Sequence, residues 1–308
     1  MDNVISWLLK GDVTIQYMVQ RYLLENAEAL PELQNRIITE GFGKRFLECR
    51  NANGHWGIHY YQKKWSCTHY TLFDLKSLCV PETDPVCREM VSRMFNECLA
   101  ADGGMNLSKY EHPSDICVDG MILNYASYFC MDEPRLNRLV DHFLYEQKPD
   151  GGFSWDRQSL CSDPHTTICI LEGIGQYCRS GGRHRLEDLE VCQTRAVEYL
   201  VSNGLFMDSP DKRIRKLTYP FRYRYDLLRV LEYFATNKIP YEMRIKPALD
   251  WLQSRRRKDG LWYLEHEHKG NVHFVMEKVG EPSRFITLKA LAILKHFDWP
   301  GRLASGPG

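Results

Sequence analysis

The chain has no excess of charge: forty basic and forty acidic residues cancel over its 308 positions. That removes any global pull toward nucleic acid or an anionic membrane surface, so no nucleic-acid partner is expected. No apolar run approaches the ~18 residues that a spanning helix needs, so no transmembrane segment is expected and membrane contact is at most peripheral. The stretch from Val4 to Leu9 is too short for a signal core and is followed by Lys10, Gly11 and Asp12. Cysteine is absent beyond Cys192. The total of eleven is odd and no secretory segment accompanies it, so most read as reduced core thiols of a cytoplasmic protein. What is present, 44% apolar and 26% charged residues, suits a chain that buries a large core without help.

Against that background a short phrase recurs: Asn53-Gly54-His55-Trp56, Asp102-Gly103-Gly104-Met105, Asp150-Gly151-Gly152-Phe153, Asn203-Gly204-Leu205-Phe206 and Asp259-Gly260-Leu261-Trp262. The first glycines are 48 to 56 residues apart, the period of a repeat protein. Each phrase follows a stretch of helical apolar spacing and leads through a loop into a second apolar helix, such as Met121 to Tyr125 or Ile168 to Glu172. The Asp/Asn-Gly pair supplies a positive-φ residue that ends the first helix, and the aromatic pins the turn. A helical pair of this size cannot bury its apolar face alone, so five helix–turn–helix units must stack. The expected organisation is one domain over 1–308, with an N-terminal helical cap over 1–40, repeats over 41–297 and a tail over 298–308.

The fullest phrase, Gln147-Lys148-Pro149-Asp150-Gly151-Gly152-Phe153, resembles the repeat of squalene and terpene cyclases and of protein prenyltransferase β subunits. The resemblance covers roughly residues 40 to 297. It implies an all-α fold, an (α/α) toroid with inner and outer rings of helices around a central cavity. It is specific for fold and much less so for reaction.

Aligning the second helices by counting back twelve from Cys79, Phe129, Tyr177, Phe234 and Phe297 gives Cys67, Cys117, His165, Arg222 and Phe285. Asp115-Ile116-Cys117 then sets a carboxylate beside a thiol, and His165 comes from the next inner helix. Such a set can fill three positions of a tetrahedral Zn²⁺ and leave the fourth open. The pattern is similar to the zinc site of the prenyltransferases, and the resemblance carries the ligand role to Asp115, Cys117 and His165. Val118 departs from it, standing where those subunits usually carry Tyr. The residues taken alone read as a helix-start carboxylate, a core thiol and a polar lining group. Zn²⁺ is the expected cofactor and Mg²⁺ the alternative, although no Asp-Asp-x-x-Asp segment is present to hold magnesium against a diphosphate.

Cations gather near the expected inner-helix starts: Lys63, Lys64, Lys109, Arg222, Arg224 and Arg284. The resemblance places Lys109 and His112 at diphosphate-contacting positions, and a cationic mouth would suit an allylic diphosphate. Trp65, Tyr70, Phe153, Trp155, Tyr223, Tyr225 and Phe285 fall near the same rim, where ring faces can fold a polyene and stabilise a cation, and Cys67 and His69 on the preceding inner helix read as further lining or as additional ligands. A polyene can also be protonated. No Asp-x-Asp-Asp segment exists for that purpose, but Asp115 and Asp119 lie one turn apart and could share a proton. The insertion from His266 to Pro282 is rich in His and Glu and reads first as a solvated surface loop, with a lid, a second metal site or a proton donor as the alternatives; His273 to Glu277 is the part that a lid would fold over the mouth.

The expected function is thus an isoprenoid-handling enzyme that binds a prenyl or polyprenyl substrate centrally. Asp115, Cys117 and His165 would be its zinc ligands, with Asp115, Asp119 and His165 as reacting groups. Lys109, His112, Arg222, Tyr223, Arg284, Trp65 and His69 would bind substrate. A metal-free cyclase or isomerase using Asp115 and Asp119, or a non-catalytic binding toroid, stands as the alternative.

Overall fold

The computed structural model describes residues 2–299 apart from 109 and 111, and among them β-structure is confined to isolated bridges. The helices in chain order are α1 (Asp2–Leu9), α2 (Val13–Met18), α3 (Leu30–Ile37), α4 (Gly41–Glu48), α5 (Thr68–Ser77), α6 (Pro85–Cys98), α7 (Ile116–Phe129), α8 (Leu136–Glu146), α9 (Pro164–Arg179), α10 (Leu186–Ser202), α11 (Leu227–Thr236), α12 (Lys246–Ser254) and α13 (Arg284–His296). From α4 onward they form five consecutive pairs. The second members, α5, α7, α9, α11 and α13, pack in succession as an inner ring, and α6, α8, α10 and α12 lie against their outer flanks.

The N-terminal segment completes that ring. Helix α2 and its π-helical continuation Val19–Leu24 pack against α13, and Thr14 Oγ1 donates to Leu78 O at 3.2 Å at the end of α5. The fold is an (α/α) toroid.

The recurring phrase sits where each outer helix turns inward. Its first glycine has positive φ every time, from 57° at Gly204 to 97° at Gly103, a region that side chains disfavour. The preceding Asp ties the turn to the loop beyond it: Asp102 Oδ1 and Oδ2 accept from Gly104 N and Ser114 N, and Asp150 does the same for Gly152 N and Ser162 N. Gln147 Nε2 donates to Gly151 O and to Cys192 O on the next outer helix, so this side chain links adjacent repeats. Arg50 and Arg256, each four residues before its glycine, make the corresponding bond to Gly54 O and Gly260 O. An arginine stands in for the glutamine because only a long donor reaching that carbonyl is required.

Four of the five inner helices begin at side-chain caps, Asp115 for α7, Asp163 for α9, Asp226 for α11 and Ser283 for α13, while α5 begins at Cys67 without one. Almost every residue of α7 is buried, as expected of a helix covered on all sides. Helices α7 and α9 approach so closely that a Cβ on Gly173 would stand 2.4 Å from Gly120 O.

Candidate functional site

A chamber of about 60 Å³ lies at the mouth where the inner helices begin, lined among others by Asp74, Arg222, Trp65, Tyr219, His273 and Phe274. At roughly 10–15 Å³ of this volume per water, it holds on the order of four waters. Its floor is an ion pair. Arg222 Nη1 and Nη2 donate to Asp74 Oδ1 and Oδ2 at 2.5 and 3.0 Å, and both residues are only 3% exposed.

Asp74 is contributed by α5, but Arg222 does not start an inner helix as the twelve-residue register predicts. Helix α11 begins at Leu227, and the preceding loop brings the guanidinium across. That loop is held by Arg229, whose Nη1 donates to Arg222 O and Arg224 O at 2.5 and 2.9 Å while its Nε and Nη2 pair with Glu172.

The roof is the insertion. His273 Nε2 and Thr71 Oγ1 on α5 hydrogen-bond at 2.9 Å. Phe274 lies against Phe46 and Phe42 with centroids 4.6 and 6.0 Å away, and Arg45 covers its ring at 3.8 Å. Trp65 Nε1 donates to Lys269 O at 3.0 Å, and the main chains of Lys64, Trp65 and Asn271 exchange two further bonds. Glu277 anchors the far end by accepting from Ser283 Oγ, Arg284 N and Phe285 N at the start of α13. The insertion, read first as a solvated surface loop, instead packs over the chamber through His273 and Phe274.

Burial shapes the charges here. It raises the Asp74 carboxyl above the usual range, against the pull of Arg222. Burial first and neighbouring cations second push His268 down to about 3 and His273 down to about 4. Both imidazoles are therefore neutral near pH 7.

The expected metal ligands do not converge. Asp115 is exposed, and its Oδ1 accepts from Cys117 N at 3.1 Å and Val118 N at 3.4 Å as the α7 cap. Cys117 Sγ faces Cys169 Sγ at 3.6 Å, and both Cys169 and burial raise the Cys117 thiol. His165 Nδ1 accepts from Tyr225 N at 2.9 Å. No group of three His, Cys, Asp or Glu side chains among the described residues is arranged to hold a metal ion. The site as built therefore does not fit the zinc that the resemblance implies, because helix capping and thiol packing have claimed the donors. Among the described residues no cluster of carboxylates is arranged to hold magnesium either.

Nor do Asp115 and Asp119 form an acid pair. Asp119 is fully buried, its Oδ1 accepts from Met105 N at 2.8 Å, and its Oδ2 lies 3.7 Å from His142 Nε2 on α8. It points between the rings and away from the chamber. Burial raises its pKa well above the carboxylate range.

Of the expected substrate contacts, Arg222 and Trp65 line the chamber. Tyr223 stacks on Trp65 at 6.2 Å just outside it. His69 is completely buried, bonds Tyr125 Oη at 3.1 Å, and is held down to about 3 by that burial. Arg284 turns away to cover the Trp7 ring at 4.3 Å. Arg224 turns to Asp211, 3.7 Å away. His112 is exposed on its loop, bonded to Pro113 O at 2.6 Å. Lys109 lies outside the described residues. Lys64 stays at the rim, its Nζ 4.8, 5.7 and 5.5 Å from the Tyr61, Trp65 and Tyr223 ring centroids, so of the expected cations among the described residues Arg222 alone lines the chamber wall. The sequence reading missed Asp74, whose signal is a carboxylate inside the apolar run Leu72-Phe73-Asp74-Leu75, and Tyr219, which stacks on Phe285 at 4.1 Å.

No family model matches the sequence, and no curated protein matches it. Among solved structures it is similar to a type II terpene cyclase from Scytonema in complex with its product, merosterolic acid A, with 13% identity over 89% of this chain and 98% of that one and a TM-score of 0.34.

Proposed function

We propose that the protein is a metal-independent enzyme of the isoprenoid-cyclase or isomerase type, working in the chamber beneath residues 266–277. The observation that carries this reading is a buried carboxyl of raised pKa, Asp74, held by a bidentate guanidinium and faced by aromatic rings in a lidded pocket.

A prenyl chain is too large for the closed volume, so it enters when the lid lifts. With the lid open Asp74 takes up a proton from water, and once the lid closes over the substrate it transfers that proton to a double bond. Arg222 holds the carboxylate left behind, and the faces of Trp65 and Tyr219 cover the cation that forms. In this reading a neutral imidazole, His268 or His273, takes the proton that the cation loses on collapsing to product. The balance is one proton in and one proton out, with no oxidant or metal required.

The test is incubation with prenyl alcohols and polyenes in D₂O, followed by mass spectrometry. Incorporation of one deuterium at carbon, lost in Asp74→Asn, is expected. Conversion without deuterium, or full conversion by Asp74→Asn, overturns the reading.

A further inference from the structure

The geometry points to a substrate whose head is an uncharged oxygen function, a hydroxyl, carbonyl or ether, received by Arg222 Nε, and it points against a diphosphate. The inference rests on the isoprenoid reading and sharpens it.

Two independent observations carry it. The first is an unsatisfied donor. Arg222 is 3% exposed and lines the chamber; its two terminal nitrogens are engaged by Asp74 and Phe221 O, while its Nε has no hydrogen-bond partner. A buried donor without an acceptor is costly, so an acceptor brought by a ligand is rewarded there.

The second is charge. The chamber wall carries one guanidinium and three carboxyl groups, Asp74, Glu267 and Glu277. Asp74 already neutralises Arg222 through two bonds. Glu277 is engaged by the start of α13, and no ammonium group lines the wall. Recognition of phosphate groups needs several free donors of positive charge, typically arginine forks or a helix N-terminus. The start of α13, which Glu277 reaches from the wall, is occupied by that carboxylate. Lys64 stands at the rim over Trp65 and Tyr223, outside the wall, so a diphosphate drawn into the chamber itself would meet carboxylates of its own sign, and that juxtaposition discriminates against it. A neutral oxygen needs only one donor, and Arg222 Nε supplies it.

The test is equilibrium binding of four matched ligands, farnesol, farnesal, farnesyl diphosphate and farnesene, to the full chain. Farnesol or farnesal is expected to bind at least ~10-fold more tightly than either the diphosphate or the hydrocarbon, the order of one good hydrogen bond. Arg222→Lys keeps a cation beside Asp74 but lacks Nε, and should bring the alcohol-to-hydrocarbon ratio close to one with the circular dichroism spectrum preserved. Preference for the diphosphate, or equal binding of farnesol and farnesene by wild type, overturns the head-group inference and leaves the isoprenoid reading standing. Binding of none of the four overturns both.

Discussion

Asp119 holds the main chain of Met105: its Oδ1 accepts from Met105 N at 2.8 Å, fourteen residues back. Thr167 Oγ1 receives Phe153 N at 3.0 Å, and Thr287 Oγ1 receives Trp262 N at 3.0 Å, so the repeat normally uses a hydroxyl at this point. The hydroxyl also returns a bond to the aromatic residue's carbonyl, at 3.3 Å to Phe153 O and 3.2 Å to Trp262 O. In the second repeat a buried acid replaces it, and this explains why Asp119 faces the outer ring instead of the chamber.

Asp119→Thr should therefore fold at least as stably as wild type and keep full activity. Asp119→Ala should lose about 1–3 kcal/mol, because the Met105 amide stays buried without an acceptor. Urea unfolding of both variants checks this. A loss of turnover in folded Asp119→Thr would return Asp119 to the list of reacting groups.

Asp74 and Arg222 predict a non-additive pair. Removing either partner alone, as Asp74→Ala or Arg222→Ala, strands a buried charge and should cost roughly 3–5 kcal/mol. The double replacement Asp74→Leu with Arg222→Met should restore most of that loss while abolishing activity. A double-mutant cycle measured by chemical denaturation separates the pair from its surroundings.

The roof should loosen in acid. His268 and His273 have folded pKa values pushed below the ordinary imidazole value of 6.5, to about 3 and about 4. When the segment is released they bind protons that the closed form refuses. The stability they contribute is thus fully present above pH 6.5 and falls as the pH drops from there toward 4. Limited proteolysis within residues 266–282 should accelerate between pH 7 and pH 5. Replacing both residues by Asn should flatten that profile; an unchanged profile would show that other groups control the roof.

Dialysis against EDTA should leave the Tm and activity unaltered, and tag-free protein should show the same zinc content before and after His165→Ala. The Cys117 thiol packs against Cys169 and the His165 Nδ1 acceptor is filled by Tyr225 N, so neither is offered to an ion. One zinc per chain that disappears in the variant would mean that these side chains rearrange around metal.

The sequence by itself determined the repeat, the helix pairing and the turns. Those depend on contacts within a few residues: a positive-φ glycine, an aspartate reaching the amide two positions on, a long donor four positions before. It showed that the insertion carries histidines, but not that they close the mouth, because a polar loop reads as solvated until its packing partners are known. Only the tertiary structure decided what the mouth contains. Asp74 and Arg222 are 148 residues apart, and their meeting depends on a non-helical loop before α11 that Arg229 pins from inside the ring. The Asp115, Cys117 and His165 pattern has zinc-like spacing, but spacing leaves side-chain direction open. Helix capping, the close α7–α9 contact at Gly120 and Gly173, and a neighbouring amide turned each donor toward a protein partner. Direction at an inner helix start depends on which neighbours arrive there, and the ring assembles those neighbours from distant parts of the chain.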